Sequence, residues 1–194
     1  MDNRYKKIPS PIGPIFIVAD TNSLRAITFE KNWPDELQKW KTISQGSNAI
    51  IQKTRNQLEE YFAGHRTFFE LPIVFTGTPF QKKTWQALLT IPYGQTRSYS
   101  QQAQRVGNPK AVRAVGRTNG LNPIAIVVPC HRVIGKSGKL TGYAGGLDIK
   151  RFLLDLEKHR NSSAPPHLNS YRPHVMPKSW CDLNSYKKSS QRTD

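Results

Sequence analysis

The chain has little cysteine, little acid and no long apolar run, and each shortage excludes a class of protein. Two cysteines, Cys130 and Cys181, among 194 residues are too few for a disulfide framework or a four-cysteine zinc site. No apolar run approaches the roughly 18–20 residues that span a bilayer, and the first residues lack the apolar segment of a signal peptide. We therefore expect a cytoplasmic protein that binds no metal or other cofactor and does not enter a membrane.

Acidic residues are scarce, 13 against 29 Lys and Arg, which gives a formal net charge of +16. The excess is uneven, because residues 79–158 contain 13 Lys and Arg against three Asp and Glu. Such a balance suits a polyanionic partner, either nucleic acid or an anionic membrane surface. The alternative is a basic protein that binds nothing in particular.

Residues 1–77 have the pattern of a small α/β domain. The runs "PIFIVAD" and "LRAITFE" are short and rich in β-branched residues, and "TNS" between them is a turn signal, so they predict a hairpin. "NAIIQKTRNQLEEYFAG" predicts a helix with an apolar face that includes Tyr61, and Gly64 ends it. Prolines and a glycine at residues 72–79 favour a domain boundary at 77–78. No residue of this region shows evident chemistry.

Residues 78–159 predict a second, mainly helical domain. "TPFQKKTWQALLTIP" has the pattern of a helix capped by Thr78. "IAIVV" predicts a buried strand, and "GKSGKLTGYAGG" is either a binding loop or a hairpin connection. "LDIKRFLLDLEKH" closes the domain as a helix, with Glu157 at the margin of its apolar face. Residues 160–194 are rich in Ser, Pro, Asn and Lys, which predicts a basic disordered tail.

The segment "RSYSQQAQRVGNPKAVRAVGRTNG" predicts a helix-turn-helix. Ser98 would cap the first helix, and Asn108 would cap the second, with a proline at its first position. Lys110, Arg113 and Arg117 are spaced to lie on one side of the second helix. A solvated basic face is the alternative to a DNA-binding helix.

The motif "VVPCHRVI" places Cys130 beside His131 and suggests thiol chemistry. A thiol near its ordinary pKa of about 8.5 needs a base, and neighbours in sequence reach each other more easily through a bridging water. The base needs a carboxylate to orient it, for which Glu157 is the best candidate and Asp148 and Asp155 are weaker ones. A buried structural cysteine is the alternative.

A thiol nucleophile in a basic helix-turn-helix domain predicts a target on DNA. An atom inside a duplex is out of reach, so the nucleotide must be flipped out at a cost of a few kcal/mol. Arg113, flanked by small apolar residues, is a candidate to fill the gap. Tyr99 and Tyr143 are candidates for the aromatic wall and the polar reader of the flipped base.

Residues 91–157 resemble the O6-alkylguanine-DNA alkyltransferase family, the methylated-DNA–protein-cysteine S-methyltransferases, of bacterial type. The resemblance rests on "PCHRV", on "NP" before it and on "GYAGG" after it. It implies a ribonuclease H-like N-terminal α/β domain, then a winged-helix-like helix-turn-helix domain. It also implies a monomer that repairs double-stranded DNA by moving the alkyl group of O6-alkylguanine, and possibly of O4-alkylthymine, to Cys130. Each molecule would act once.

The resemblance also implies a role for each site residue. His131 would deprotonate Cys130 through a water, Glu157 would orient His131, and Tyr99 would donate toward N3 of the departing guanine. Arg113 would replace the flipped nucleotide, and Asn122 would tie the recognition helix to the active-site turn. The remaining residues would bind DNA or line the substrate pocket: Lys110 and Arg117 on DNA; Pro129, the Cys130 and Val133 carbonyls, Tyr143 and the Ala144 amide around the base.

The sequence differs from some members of the family at three points, and three other functions are alternatives to the one that the resemblance implies. The first domain has no cysteine for the zinc site of some relatives, Ala144 stands where some have a hydroxyl residue, and Ala125 stands where some have proline, which predicts a roomier pocket.

The alternative functions are a damage sensor that performs no reaction, a helix-turn-helix regulator and a cysteine hydrolase with turnover. The presence of Cys130 argues against the sensor, and neither an extra regulatory domain nor an oxyanion hole is evident.

Overall fold

A computed structural model of the protein describes residues 2–158. In that part of the chain the strands are β1 (Arg4–Ile8), β2 (Ile15–Ala19), β3 (Leu24–Phe29), β4 (Ser44–Gln45), β5 (Arg97–Ser98) and β6 (Val133–Ile134). The helices are α1 (Trp33–Leu37), α2 (Ala49–Phe62), α3 (Pro79–Leu88), α4 (Tyr99–Arg105), α5 (Val112–Gly120) and α6 (Leu147–Lys158). The predicted tail at 160–194, with Cys181, lies outside the described residues.

The N-terminal region is a four-stranded sheet with α2 packed across it. The strand order is β3-β2-β1-β4, in which β1 pairs antiparallel with β2 and parallel with β4. The predicted hairpin is present as β2 and β3. All five residues of β2 are buried because helices and the rest of the chain cover the sheet. The short polar strands β1 and β4 carry no strong apolar pattern, and the sequence reading missed them.

The helix-turn-helix is present, but its second helix starts later than predicted. Thr78 and Ser98 cap α3 and α4, each with a reciprocal capping box to a glutamine three residues on. The predicted cap at Asn108 is wrong. The carbonyl of Asn108 accepts from Ala111 N at 3.0 Å, which closes a turn with the proline at its second position. Lys110 therefore lies in that turn and not on α5.

The predicted strand at residues 124–128 is also wrong, although the segment is buried as expected. Val128 N donates to Ile124 O at 3.0 Å, and Val127 N donates to Ala125 O at 2.8 Å across Ile126, whose φ is 71°. This φ makes the second contact a tight γ-turn of the strained kind. The backbone therefore turns back on itself before Cys130. This segment pairs with the sheet through one isolated bridge, between Ile27 and Ile124.

The segment after the coil holds the C-terminal region together. Cys130–Arg132 form one turn of 3-10 helix, and β6 then pairs in parallel with β5, which directly precedes α4. Helix α6 packs against the 3-10 turn. The nucleophile candidate therefore lies where the coil, the helix-turn-helix and the last helix meet. None of the helices within residues 2–158 is long and apolar enough to cross a membrane.

Candidate active site

Cys130 is buried at the end of the coiled segment, and Asn122 holds it there. Pro129 has φ −83° and ψ 63°, and Cys130 N donates to Val128 O at 2.9 Å, an inverse γ-turn. The Asn122 side-chain amide donates to Val128 O at 2.8 Å and to Cys130 Sγ at 3.2 Å. One side chain just beyond α5 thus fixes both the turn and the sulfur.

The thiol is shielded from water, and burial raises the pKa of Cys130. The hydrogen bond from Asn122 and the positive charge of Lys150 act against that rise. The resting protein therefore keeps Cys130 as a thiol, and a role as nucleophile would require a base. Within residues 2–158 no hydrogen bond joins the Cys130 and His131 side chains.

His131 is completely buried and bonds to Glu157, with 2.8 Å between Nε2 and Oε1. Burial lowers the pKa of His131, which the Glu157 carboxylate opposes, so the imidazole is neutral at pH 7. Because Glu157 is ionised, Nε2 carries the proton and donates. Nδ1 then has the free lone pair, and it is buried without a hydrogen-bond partner among the described residues.

Glu157 is the hub of the site. Its carboxylate accepts from His131 Nε2, from Tyr61 OH at 2.8 Å, from Gly94 N at 3.1 Å, and from Arg132 Nε and Nη2 at 2.8 and 2.9 Å. Burial alone would raise the pKa of Glu157, but the His131 and Arg132 contacts outweigh it and hold that pKa at about 2.

The two weaker carboxylate candidates do not join this site. Asp148 and Asp155 lie on the same helix as Glu157, and both are exposed. Of the three, Glu157 alone is completely buried. It lies in the core rather than at the margin of the apolar face, because five donors compensate the buried charge.

Lys150 is a buried cation beside the thiol that sequence reasoning missed. Its Nζ donates to Val133 O at 2.6 Å and to Thr141 O at 2.8 Å, and it lies 5.8 Å from the centre of the Tyr99 ring. It therefore ties β6, the glycine-rich loop and α4 together. Burial lowers the pKa of Lys150 to about 8, although Cys130 acts in the other direction.

Lys150 should make stability depend on pH in the alkaline range. Its folded pKa of about 8 lies below the ordinary 10.5, so the unfolded chain binds more protons between these values and stability gains up to about 3 kcal/mol as pH rises through them. Urea unfolding at pH 7.5, 9 and 10 should show this gain relative to Lys150→Met. The exposed Lys136→Met is the control, and equal pH dependence in Lys150→Met and wild type would refute the assignment.

A cavity of about 550 Å³ opens between α4, α5 and the glycine-rich loop. Its lining includes Tyr99, Arg113, Gly116, Thr141, Tyr143 and Ala144. Thr141 Oγ1 lies 3.3 Å from Tyr99 OH, and the Tyr143 ring stands edge-on to His131 at 6.5 Å between centroids. The loop that the sequence left open as a binding loop or a connection thus forms one wall of the cavity.

Ala125 is not among the residues that line this cavity. Its N–H donates to Ile27 O at 3.0 Å, a contact that proline at this position would remove. The alanine therefore contacts the N-terminal sheet, and the expectation that it makes the pocket roomier has no support in this geometry.

The outer face of α5 is open to solvent and basic. Arg113 and Arg117 are exposed and one helical turn apart, and Lys110 is exposed in the turn before the helix. Gly116 lies on the inner side, where an added Cβ would meet the Tyr99 ring at 3.6 Å. Within residues 2–158 no three His, Cys, Asp or Glu side chains are grouped as metal ligands.

Comparisons with known proteins place this chain in one family. Its model for the 6-O-methylguanine DNA methyltransferase DNA-binding domain matches residues 79–159, and its ribonuclease-like domain model matches residues 3–75. A methylated-DNA–protein-cysteine methyltransferase of Methanosarcina acetivorans is 49% identical over 158 residues, covering 79% of this chain and 97% of that protein. The constitutive methylated-DNA–protein-cysteine methyltransferase of Bacillus subtilis is 45% identical over 158 residues, 80% of this chain and 96% of its own.

Solved structures agree. The Mycobacterium tuberculosis OGT in complex with DNA matches with a TM-score of 0.73 at 45% identity, covering 84% of this chain and 95% of that one. A ribonuclease-like region joined to a helix-turn-helix region with a buried cysteine defines a class of DNA-repair methyltransferases. Within that class, the chain belongs to the 6-O-methylguanine DNA methyltransferase family.

The predicted family, fold class and DNA-repair methyltransferase activity by direct alkyl transfer are thereby confirmed. The two family matches end and begin close to the predicted boundary at residues 77–78, whereas the separation into independent domains stays a prediction. The roles of individual site residues also stay predictions.

Proposed function

We propose that Cys130 accepts the alkyl group from O6 of a guanine flipped out of double-stranded DNA, and that each molecule does so once. The observations behind this are two contacts, Asn122 with Cys130 and His131 with Glu157. The cavity beside the basic helix adjoins them, since the Tyr143 ring in its lining stands edge-on to His131. The sulfur attacks the alkyl carbon, an S–C bond forms, the C–O6 bond breaks, and the guanine leaves with the electron pair.

His131 is the base in this reaction. Its Nδ1 carries the lone pair and has no partner among the described residues, so it takes the Cys130 proton through a bridging water. Glu157 stabilises the imidazolium that forms, because its carboxylate already accepts from Nε2. Lys150 stabilises the thiolate, since its charge acts to lower the pKa of Cys130.

The flipped base occupies the cavity. Tyr99, which lines it, donates to N3 and neutralises the charge that builds up on the leaving guanine. The carbonyls of Cys130 and Val133 accept from the guanine amino group, and Pro129 stiffens the turn that presents them. Tyr143 and the Ala144 amide, in the glycine-rich loop, line the same cavity.

The duplex lies against the exposed face of α5. Arg113 borders the cavity and enters the stack in place of the flipped nucleotide, while Lys110 and Arg117 contact phosphates. Asn122 links α5 to the sulfur, so contact with DNA and the position of the nucleophile are coupled through one side chain.

Arg113→Ala should slow repair of duplex DNA by about 10- to 100-fold, because the cost of flipping, a few kcal/mol, is no longer offset. Reaction with a free O6-alkylguanine base should change by less than about twofold, since no flipping occurs. Arg117→Ala is the matched control on the same helix. Arg117→Ala should lower the affinity for DNA and make that affinity less dependent on salt. The rate at saturating DNA should not change. Equal losses of Arg113→Ala on both substrates would contradict the flipping role.

Transfer of label from DNA to protein tests the proposal. Duplex DNA with radiolabelled O6-methylguanine is incubated with excess protein, and the label is counted in DNA, protein and solvent. Label on protein supports the alkyl acceptor. Label that stays in DNA would favour a damage sensor, and label released to solvent with many turnovers would favour a hydrolase.

The remaining predictions are part of the same proposal. The protein acts as a monomer in the cytoplasm, without a cofactor or metal, on O6-alkylguanine and possibly on O4-alkylthymine. The region at residues 1–77 is a domain separate from residues 78–159. DNA as the partner follows from the DNA-binding domain of the family, and the type of damage and the monomeric state are parts of the proposal.

A further inference from the structure

One hydroxyl group of the N-terminal region bonds directly to the Glu157 carboxylate. Tyr61, on α2, donates from OH to Glu157 Oε1 at 2.8 Å, across 96 residues of sequence. His131 Nε2 bonds to the same oxygen at the same distance. Both Tyr61 and Glu157 are completely buried. The proposed base and a tyrosine of the other region therefore share one carboxylate oxygen.

Neighbouring contacts hold the two regions in register around this hydrogen bond. Ile27 N donates to Pro123 O at 2.9 Å, which docks the coiled segment on β3. The Phe29 ring lies 5.6 Å from the Tyr143 ring, and a Cβ at Gly145 would come within 2.9 Å of Phe29. These contacts join β3 to segments beside the site, and the Tyr61 ring itself stands edge-on to Tyr93 at 6.1 Å between centroids.

The hydroxyl of Tyr61 can act toward Glu157 only as a donor. Burial and the adjacent negative charge raise the pKa of Tyr61 well above its ordinary value, so it stays protonated. A carboxylate with donors on both oxygens has one orientation. The orientation of Glu157 sets the ring plane of His131, and its acceptance from Nε2 leaves Nδ1 as the basic nitrogen.

We propose that Tyr61 is a positioning residue for methyl transfer, through which the N-terminal region completes the active site. It acts through Glu157 on His131 and does not touch the substrate. This inference rests on the proposed function of Cys130 and His131. The simpler reading is that Tyr61 is only a core residue, and the two readings differ in what removal of the hydroxyl does to the reaction.

Tyr61→Phe removes the hydroxyl and keeps the ring. The single-turnover rate constant for transfer from methylated duplex DNA should fall by about 10-fold, the size expected when a hydrogen bond to a charged group is lost. The affinity for the same DNA should not change, because Tyr61 is buried away from α5. Thr54→Val is the matched control, since Thr54 is a buried residue of α2 whose hydroxyl donates to Ile50 O. It should lose stability without a change in the rate constant.

A double-mutant cycle separates positioning from a structural role. If Tyr61 acts through Glu157, the variant with both Tyr61→Phe and Glu157→Gln should react as slowly as Glu157→Gln alone, because the effects are not additive. Urea unfolding of each variant checks that every rate constant in the cycle comes from folded protein. Multiplied losses, or an unchanged rate constant in Tyr61→Phe, would overturn the inference while wild type still transfers methyl groups. Failure of wild type to transfer would instead overturn the proposed function.

Discussion

Cys130→Ser should abolish methyl transfer to the protein, with a loss of about 10³-fold or more, because a hydroxyl is far less acidic and less nucleophilic than a thiol. The substitution is close in size, and Asn122 can donate to the new oxygen as it donates to Sγ. The turn at Pro129 and the basic face of α5 should therefore persist. Affinity for methylated duplex DNA should stay within about twofold of wild type, because no phosphate contact changes.

The measurement pairs a transfer assay with a binding assay on the same DNA. Cys181→Ser is the matched control, because Cys181 is the other cysteine of the chain; it should react at the wild-type rate. Transfer by Cys130→Ser at a rate near wild type would show that another residue is the acceptor. Loss of DNA binding in the same variant would show that the substitution disturbed more than the nucleophile.

Glu157→Gln should give the second-largest loss, about 100-fold in the rate of transfer, in the range of a lost acid–base partner. An amide has one acceptor oxygen, and its nitrogen would face a donor from Arg132, His131 or Tyr61. The buried Arg132 guanidinium would also lose its counter-charge, at a cost of about 3–5 kcal/mol in stability. The rate at saturating DNA and the urea midpoint test both effects, and Asp155→Asn on the exposed side of α6 is the control.

The same substitution should change the response to acid. The pKa of Glu157 is about 2 in the folded protein against an ordinary 4.5, so its stabilising contribution is complete above pH 4.5. It is lost as pH falls from 4.5 toward 2, and amounts to about 3 kcal/mol over that range. The stability difference between wild type and Glu157→Gln should shrink accordingly. A difference that stays constant between pH 5 and 3 would show that Glu157 titrates normally.

Local signals in the sequence were enough for the first half of the site. Cys130 and His131 are neighbours, and Glu157 follows as a carboxylate at helical spacing beside apolar residues. Partners that arrive from far along the chain left no local signal. Tyr61 fits the apolar face of α2, so the period of the helix explains it without Glu157. The sequence pattern predicts that Lys150 is an exposed lysine of α6. Its acceptors are the backbone carbonyls of Val133 and Thr141, which no residue type in the sequence reveals.

The backbone conformation also follows the sequence where it depends on nearby residues and departs from it where it depends on distant ones. The caps of α3 and α4 depend on residues three positions apart, and the sequence predicts them correctly at Thr78 and Ser98. The coil at residues 124–128 has the composition of a strand, but its turns depend on Asn122 and on the docking of Ile124 against β3. Tertiary contacts override strand propensity there, as they do for the positive φ of Ile126.

Single-use transfer, in which Cys130 receives one alkyl group and keeps it, is the core of the proposed function. Its most direct test is to react the protein with an excess of duplex DNA that contains O6-methylguanine, and then to measure the intact mass and map the peptides by mass spectrometry. We expect repair to stop at one lesion per protein, with a single methyl group on the peptide that contains Cys130. Continued repair by unmodified protein, or a methyl group on any other residue, would contradict it.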